Sequence, residues 1–436
     1  MTRAQLATVV CGAGFFSLVS SASAQDIQPA TESAVVIFNT LLFLLSGMVV
    51  MFMAAGFCML EAGLVRAKNA ATICLKNISL YSVAGLAVWI IGYNMIYGIE
   101  EGGLIAPFKL FFTLNTDDDP VGLGYGAYSD WFFQMVFVAT AASIVSGTLA
   151  ERIKLAPFLL FVAVLTGLIY PIVASWKWGG GYLHTRWSFG DFAGSTLVHS
   201  TGGWAALTGA LILGPRDGKY PEGRPPAAFP GSSLPLATLG TFILWLGWFG
   251  FNGGSQLAFG TVTDSLSVAK IIVNTNMAAC GGVVAALAMT RFVYSKVDLT
   301  VVLNGAIGGL VAITAQPLEP VIWQAVLIGG VGGALVTLSI PLLDRFKIDD
   351  VVGAIPAHLV CGIWGTMIVP WTDDTASFVG QFVGVAMVGV FVCAFSALLW
   401  YALKFSIGLR ASVEHERLGL DKAELGLEAY PEFAQS

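Results

Sequence analysis

Two histidines in this chain of 436 residues occupy matched places in a repeated pattern. Residues 191–203 read DFAGSTLVHSTGG, and residues 350–362 read DVVGAIPAHLVCG. Both follow D-x2-G-x4-H-x3-G, through Asp191, Gly194, His199 and Gly203, and through Asp350, Gly353, His358 and Gly362. Each aspartate opens an apolar run, where Asp is a favoured helix N-cap, so capping is the first role expected of both. Each histidine lies eight residues further on, which is about 12 Å along a helix. The chain holds four histidines; the other two, His184 and His415, fall in loop sequence and read as surface residues. An imidazole can bind a metal or haem, relay a proton, or hydrogen-bond a small polar solute. HExxH, Cys/His metal spacing and C-x-x-C-H are missing from the sequence, so no cofactor is expected.

Aromatic residues are the second resource. Residues 245–255 read WLGWFGFNGGS, and on a helix Trp248, Phe251 and Ser255 share one face. Phe133, Gln134 and Phe137 cluster in another apolar run, and Trp178 precedes Gly179-Gly180-Gly181. Rings beside one hydroxyl suit a small cation, which gains about 0.5–2 kcal/mol over an aromatic face. A membrane-interface belt would use the same residue types; the clustering beside small residues favours a site. Carboxylates inside apolar runs are scarce. Glu61 and Lys76 are expected to pair structurally, and a carboxylate-lined sodium or calcium path is poorly supported.

The elements that must position these residues are membrane helices. Charged residues are 11% of the chain, against about 25% in a typical soluble domain. Hydrophobic residues are 56%, with 51 glycines, and the mean hydropathy is +0.79. This composition excludes a soluble enzyme, a nucleic-acid binder and a disordered scaffold. Arg3, an apolar run from Leu6 to Val19 and Ala22-Ser23-Ala24 read as a signal peptide over residues 1–24. Eleven spans are expected near 34–63, 70–97, 128–149, 155–174, 192–213, 234–256, 267–290, 299–315, 322–342, 352–369 and 376–403. They form a membrane domain over 25–403, and 404–436 is a short polar tail. The cysteines of the spans are expected to be small buried residues.

Charge sets the orientation. Loops alternating to one side, together with the tail, hold fifteen lysines and arginines. The other side holds Lys109, Lys177 and Arg186, together with Glu100, Glu101 and Asp117-Asp118-Asp119. The positive-inside rule then puts the tail in the cytoplasm and the mature N-terminus outside. The fifth and tenth spans carry the repeated motif but run in opposite directions. This means an inverted repeat of five plus five spans with the eleventh added, an all-α polytopic architecture whose site lies near the midplane between the halves.

These motifs resemble those of the ammonium transporter family (Amt/Mep/Rh), and of its Amt branch in bacteria. GFCMLEAGLVRAKNAATICLKN at 56–77, GTLAERIK at 147–154, DFAGSTLVH at 191–199 and GWFGFNGGS at 247–255 carry the likeness, together with His358. The resemblance implies a homotrimer in the cell inner membrane with one pore per protomer. It also implies an outer ammonium site of Phe137, Trp178 and Ser255, and gate rings Phe137 and Phe251. Trp248 would line the pore, and His199 and His358 would be twin histidines sharing a hydrogen bond. Asp191 would hold the outer site, and Asp350 matches the inner acidic position. Ammonium, with methylammonium as a possible analogue, is the implied substrate, and a PII signalling protein the implied cytoplasmic partner; nucleic acid is not expected. The tail at 409–430 is similar to the family's, but Leu425, Gly426 and Leu427 keep only the glycine of the usual pattern. An ammonium sensor reporting through the tail and an Rh-like gas channel are the rival readings. An enzyme is disfavoured because no nucleophile–base–orienter set is visible.

Overall fold

The computed structural model describes residues 31–113 and 120–433. The expected signal peptide and Asp117-Asp118-Asp119 lie outside the described residues. Long helices cover the apolar runs: α1 (Glu32–Leu64), α2 (Ala67–Tyr97), α3 (Ala127–Thr148) and α4 (Leu155–Ser175). α5 is Ser195–Ser200 running into Thr201–Leu213. They are followed by α6 (Leu234–Gly254), α7 (Val262–Tyr294), α8 (Leu299–Ile313), α9 (Ile322–Arg345), α10 (Ile355–Trp371) and α11 (Phe378–Ser406). Eight are long and apolar enough to cross a membrane, and α8 and α10 are shorter apolar helices. The chain is a multi-pass helical membrane protein. Among the described residues, the only β-type pairing is an isolated bridge between Ile153 and Arg410.

Small residues let the helices approach. α1 runs along α6, and a side chain on Gly240 would strike the α1 backbone at Leu60. α7 and α9 meet the same way, with the backbone of Gly282 against Gly333. Close backbone approach of this kind is how membrane helices gain packing without a hydrophobic drive between them.

α5 and α10 each begin three residues later than expected, and for one reason. The backbone turns through the left-handed region at Gly194 (φ 107°) and Gly353 (φ 79°), which glycine adopts without a Cβ penalty. Both helices then open with a wide turn of i→i+5 hydrogen bonds, a local form associated with functional sites. The histidines sit on these turns.

The tail docks on the loops at one end of the bundle, hereafter the tail face. Lys68 Nζ donates to the carbonyls of Glu416 (2.8 Å) and Arg417 (2.5 Å). Asp421 accepts from the N–H groups of Ala71 (3.0 Å) and Thr72 (2.7 Å), capping the first turn of α2. Gly426 turns at φ 68°, and Leu425 and Leu427 line an apolar groove with α1 and α2. Beneath the tail, Arg216 grips Asp349 through Nε and Nη2, both at 2.9 Å. Arg216 also meets Glu151 (3.3 Å), and Arg152 Nη2 donates to the Asp349 carbonyl (2.7 Å). Burial alone would raise the Asp349 carboxyl, but the Arg216 hydrogen bonds and the Arg152 charge hold it down at about 2. The five described cysteines are free; Cys361 is buried as expected, whereas Cys74 is exposed on the apolar flank of α2.

Candidate functional site

Asp191 is the cap of the first motif. Its Oδ1 accepts from the N–H groups of Gly194 (3.1 Å) and Ser195 (2.8 Å), and its Oδ2 from Thr196 (2.9 Å) and Leu197 (2.8 Å). Those are the orphan donors of a helix start. Asp350 does the same with fewer bonds: Oδ2 accepts from Ile355 N–H (2.7 Å), and Oδ1 from Thr148 Oγ1 (3.0 Å). The capping role expected of both aspartates is what the geometry contains.

The third helix of each half ends on the motif of the other half. Thr148, the last residue of α3, bonds Asp350. Just past α8, the carbonyls of Thr314 and Ala315 accept from Ala193 (3.0 Å) and Phe192 (2.8 Å). The two motifs are therefore held by reciprocal contacts between the halves, as an inverted repeat demands.

His199 and His358 meet in the interior. Their Nδ1 atoms are 3.2 Å apart, and the ring centroids are 5.3 Å apart at 28°. His199 is fully buried, and its Nε2 has no hydrogen-bond partner. Its ring stacks on Trp248 (4.9 Å, 20°) and lies 5.3 Å from Phe251. Trp248 Nε1 donates to Thr314 Oγ1 (2.8 Å). His358 faces Phe57 of α1 (6.0 Å, 34°).

Towards the end opposite the tail, Phe251 stacks on Phe137 at 3.8 Å and 16°. Phe137 is followed edge-on by Trp178 (6.1 Å, 79°). Trp178 is fixed by its Nε1, which donates to the Asp191 carbonyl (3.1 Å). Ser255 lies one turn beyond Phe251 and donates to that residue's carbonyl (2.8 Å). Phe137, Trp178, Phe251, Trp248, His199 and His358 thus form one continuous aromatic column. Asp350 stands apart at the tail face, on a cavity of about 390 Å³ lined also by Asn304, Val352 and Gly353. Metal-type clusters of three or more His, Cys, Asp or Glu do not occur among the described residues. His184 and His415 are exposed, away from the column.

Sequence reasoning missed Phe57 and Thr314. Phe57 sits inside the glycine-flanked run at 56–63, one turn before Glu61, and its place against His358 has no local signal. Thr314 could have been found as the counterpart of Thr148, since both close the third span of a half.

A profile of the Ammonium Transporter Family matches residues 41–430. The chain belongs to the ammonium transporter family. It is 40% identical over 420 residues to ammonium transporter Amt2 of Archaeoglobus fulgidus, which covers 89% of this chain and 87% of that one. Among solved structures it is similar to a sensor Amt protein, with TM-score 0.84 and 34% identity over 90% of this chain and 100% of that one. Mep2 of Candida albicans, at 24% identity and TM-score 0.78 over 91% of each chain, shares the fold. Ammonium is the substrate of the ammonium transporter family, whose members are transporters and not enzymes.

Proposed function

We propose that this ammonium transporter family member carries ammonium selectively through the aromatic–histidine column. The observation that carries the reading is the histidine pair itself, two buried imidazoles sharing one hydrogen bond between stacked rings. A bare cation in such a conduit loses several kcal/mol of solvation. Ammonium and potassium are alike in charge and size, but only ammonium can shed a proton.

In this reading Phe137, Trp178 and Ser255 recruit ammonium at the far face. The ring faces attract the cation, and the Ser255 oxygen retains a lone pair to accept from it. Asp191 holds this end of the pore together and biases it towards positive charge. The Phe137–Phe251 stack is a gate that must part. Beyond it the ion gives up a proton, ammonia moves past Trp248, and the His199–His358 pair relays the proton. Asp350 belongs to the exit on the tail face.

The tail face is cytoplasmic, on the strength of its fifteen basic residues. The membrane is the cell inner membrane, residues 1–24 are a cleaved signal, and the working unit is a homotrimer. A PII protein is the partner we expect at the cytoplasmic mouth.

Charge displacement in proteoliposomes after an ammonium jump, with potassium as control, tests the reading. An ammonium-specific current supports it. Ammonium flux without current would make the protein a neutral gas channel. A sensor is the second reading, favoured by the likeness to a protein named as a sensor Amt protein; binding without flux or current would put it first.

A further inference from the structure

One carboxylate inside the bundle has no place in that scheme. Glu61 is 1% exposed, on α1, one turn beyond Phe57. Phe57 faces His358, so Glu61 follows on the same helix face, roughly 6 Å further towards the tail face. Gly147 separates its stem from Val352, and Val352 lines the tail-face cavity beside Asp350.

The cluster around Glu61 is short of a hydrogen. Its Oε2 accepts from Ser146 Oγ (2.8 Å) and Asn77 Nδ2 (3.3 Å), but its Oε1 has no partner. Asn77 spends its second amide hydrogen on the Ile73 carbonyl (3.1 Å), and its own Oδ1 is likewise unpartnered. Two buried acceptors without a donor are costly. A proton on Oε1, or a proton-bearing water, removes that cost.

The expected Glu61–Lys76 ion pair does not form directly. Ser146 stands between them: its hydroxyl donates to Glu61, and its carbonyl accepts from Lys76 Nζ (3.0 Å). Lys76 also lies over the Phe158 ring at 4.5 Å. The ammonium group therefore has a carbonyl and a ring of its own, and Glu61 acts on it as a nearby charge and not as a hydrogen-bond partner. The attraction within a buried pair repays its desolvation only in close, fully bonded geometry, which Glu61 and Lys76 lack. The titratable groups that act on Glu61 are Lys76 and Cys74 on α2 and Cys58 on α1 itself; α6 contains none, and α3, which brings Ser146 and Gly147 against Glu61, carries its titratable residues, Tyr128 and Asp130, at its other end.

We infer that Glu61 is a proton-accepting site between the histidine pair and the tail-face cavity. It rests on the transport reading above. A histidinium N–H breaks to water, which carries the proton past Phe57, the Glu61 Oε1–H forms, and neutral imidazole is left; the O–H then breaks to water on the cavity side. One proton moves and no electron changes hands.

The test compares the unaltered protein with Glu61→Gln and Glu61→Asp in proteoliposomes, reading ammonium-induced charge displacement. Glu61→Gln should lower the displacement about a hundredfold, the lower end of what a positioned proton-transfer group contributes, with the half-saturating ammonium concentration unchanged. Glu61→Asp should restore most of it. The infrared difference spectrum on acidification should show a protonated-carboxyl band that Glu61→Gln removes. Undiminished current in Glu61→Gln, or a carboxyl band that survives that change, overturns this inference alone. No current and no flux in the unaltered protein overturns the transport reading and this inference with it.

Discussion

His199 and His358 approach through like atoms, Nδ1 to Nδ1 at 3.2 Å, so one imidazole must donate and the other accept. A neutral pair therefore holds one proton between the rings and fixes opposite tautomers on them. Removing either ring leaves the other Nδ1 buried without a partner.

His358→Leu breaks that arrangement while keeping an apolar side chain in the conduit. We expect ammonium-induced charge displacement to fall about tenfold or more. His199→Leu should do the same, because the pair acts as a unit. Measurements on solid-supported membranes with a potassium control decide the matter; a single variant with full ammonium-selective current would mean that the pair is not the relay.

Asp191 takes four backbone N–H groups onto one carboxylate. Asp191→Ala leaves these donors buried and unmatched. The cost should be at least the roughly 1–2 kcal/mol of a lost N-cap, read as a lowered midpoint of thermal unfolding in detergent. Gly194→Ala should lower it too, since φ 107° is unfavourable for any residue with a Cβ. An unchanged midpoint for Asp191→Ala would show that the cap is dispensable.

Much of this architecture was legible before any coordinates. The apolar runs gave the helices, and the repeated D-x2-G-x4-H-x3-G gave the symmetry that puts both histidines at the same depth. What the sequence could not yield were relationships set by packing between distant runs. Nothing local in Gly194 or Gly353 announces a left-handed turn that delays each helix by three residues. The contact of Phe57 with His358 joins α1 to α10 across some 300 positions of the chain. The expected pairing of Glu61 with Lys76 failed because Ser146, on a third helix, offers each of them a closer partner.

Thr314 orients the Trp248 indole through a 2.8 Å hydrogen bond, and the indole in turn stacks on His199. Thr314→Val keeps the shape and removes the acceptor. The indole N–H is then buried and unpaired, at about 1–3 kcal/mol. The expected outcome is increased potassium leak with ammonium current reduced severalfold. Thr314→Ser, which retains the hydroxyl, should behave as the parent protein, and equal behaviour of the Val and Ser variants would remove the positioning role.

The Asp349 carboxyl titrates at about 2 in the fold, against an ordinary value of 3.8. A depressed carboxylate stabilises the fold at pH values above its ordinary pKa and loses that contribution as pH falls towards the folded value. The difference is worth roughly 2 kcal/mol. Asp349→Asn should therefore lower the unfolding midpoint at neutral pH, and the gap between variant and parent should close between about pH 4 and pH 2. A gap that does not change over that interval would assign the loss to shape and not to charge.

Asp421 links the tail to the membrane helices more directly than any other tail residue, since one carboxylate binds two N–H groups and the hydroxyl of Thr72 at the start of α2. The anchors next to it are Asn69, which accepts from Leu420 N–H (2.9 Å), and Glu424, which accepts from Leu155 N–H (3.0 Å). Asp421→Ala removes the cap and leaves these neighbours and the Lys68, Asp217 and Arg417 contacts further back in the tail. At about 1 kcal/mol per lost cap, the docked tail should open several times more often. Amide hydrogen exchange over residues 413–427 should rise by that factor, while exchange in α3 and α5 stays as it was. Exchange confined to its original rate in the tail would mean that Leu425 and Leu427, seated against α1 and α2, hold it without the aspartate.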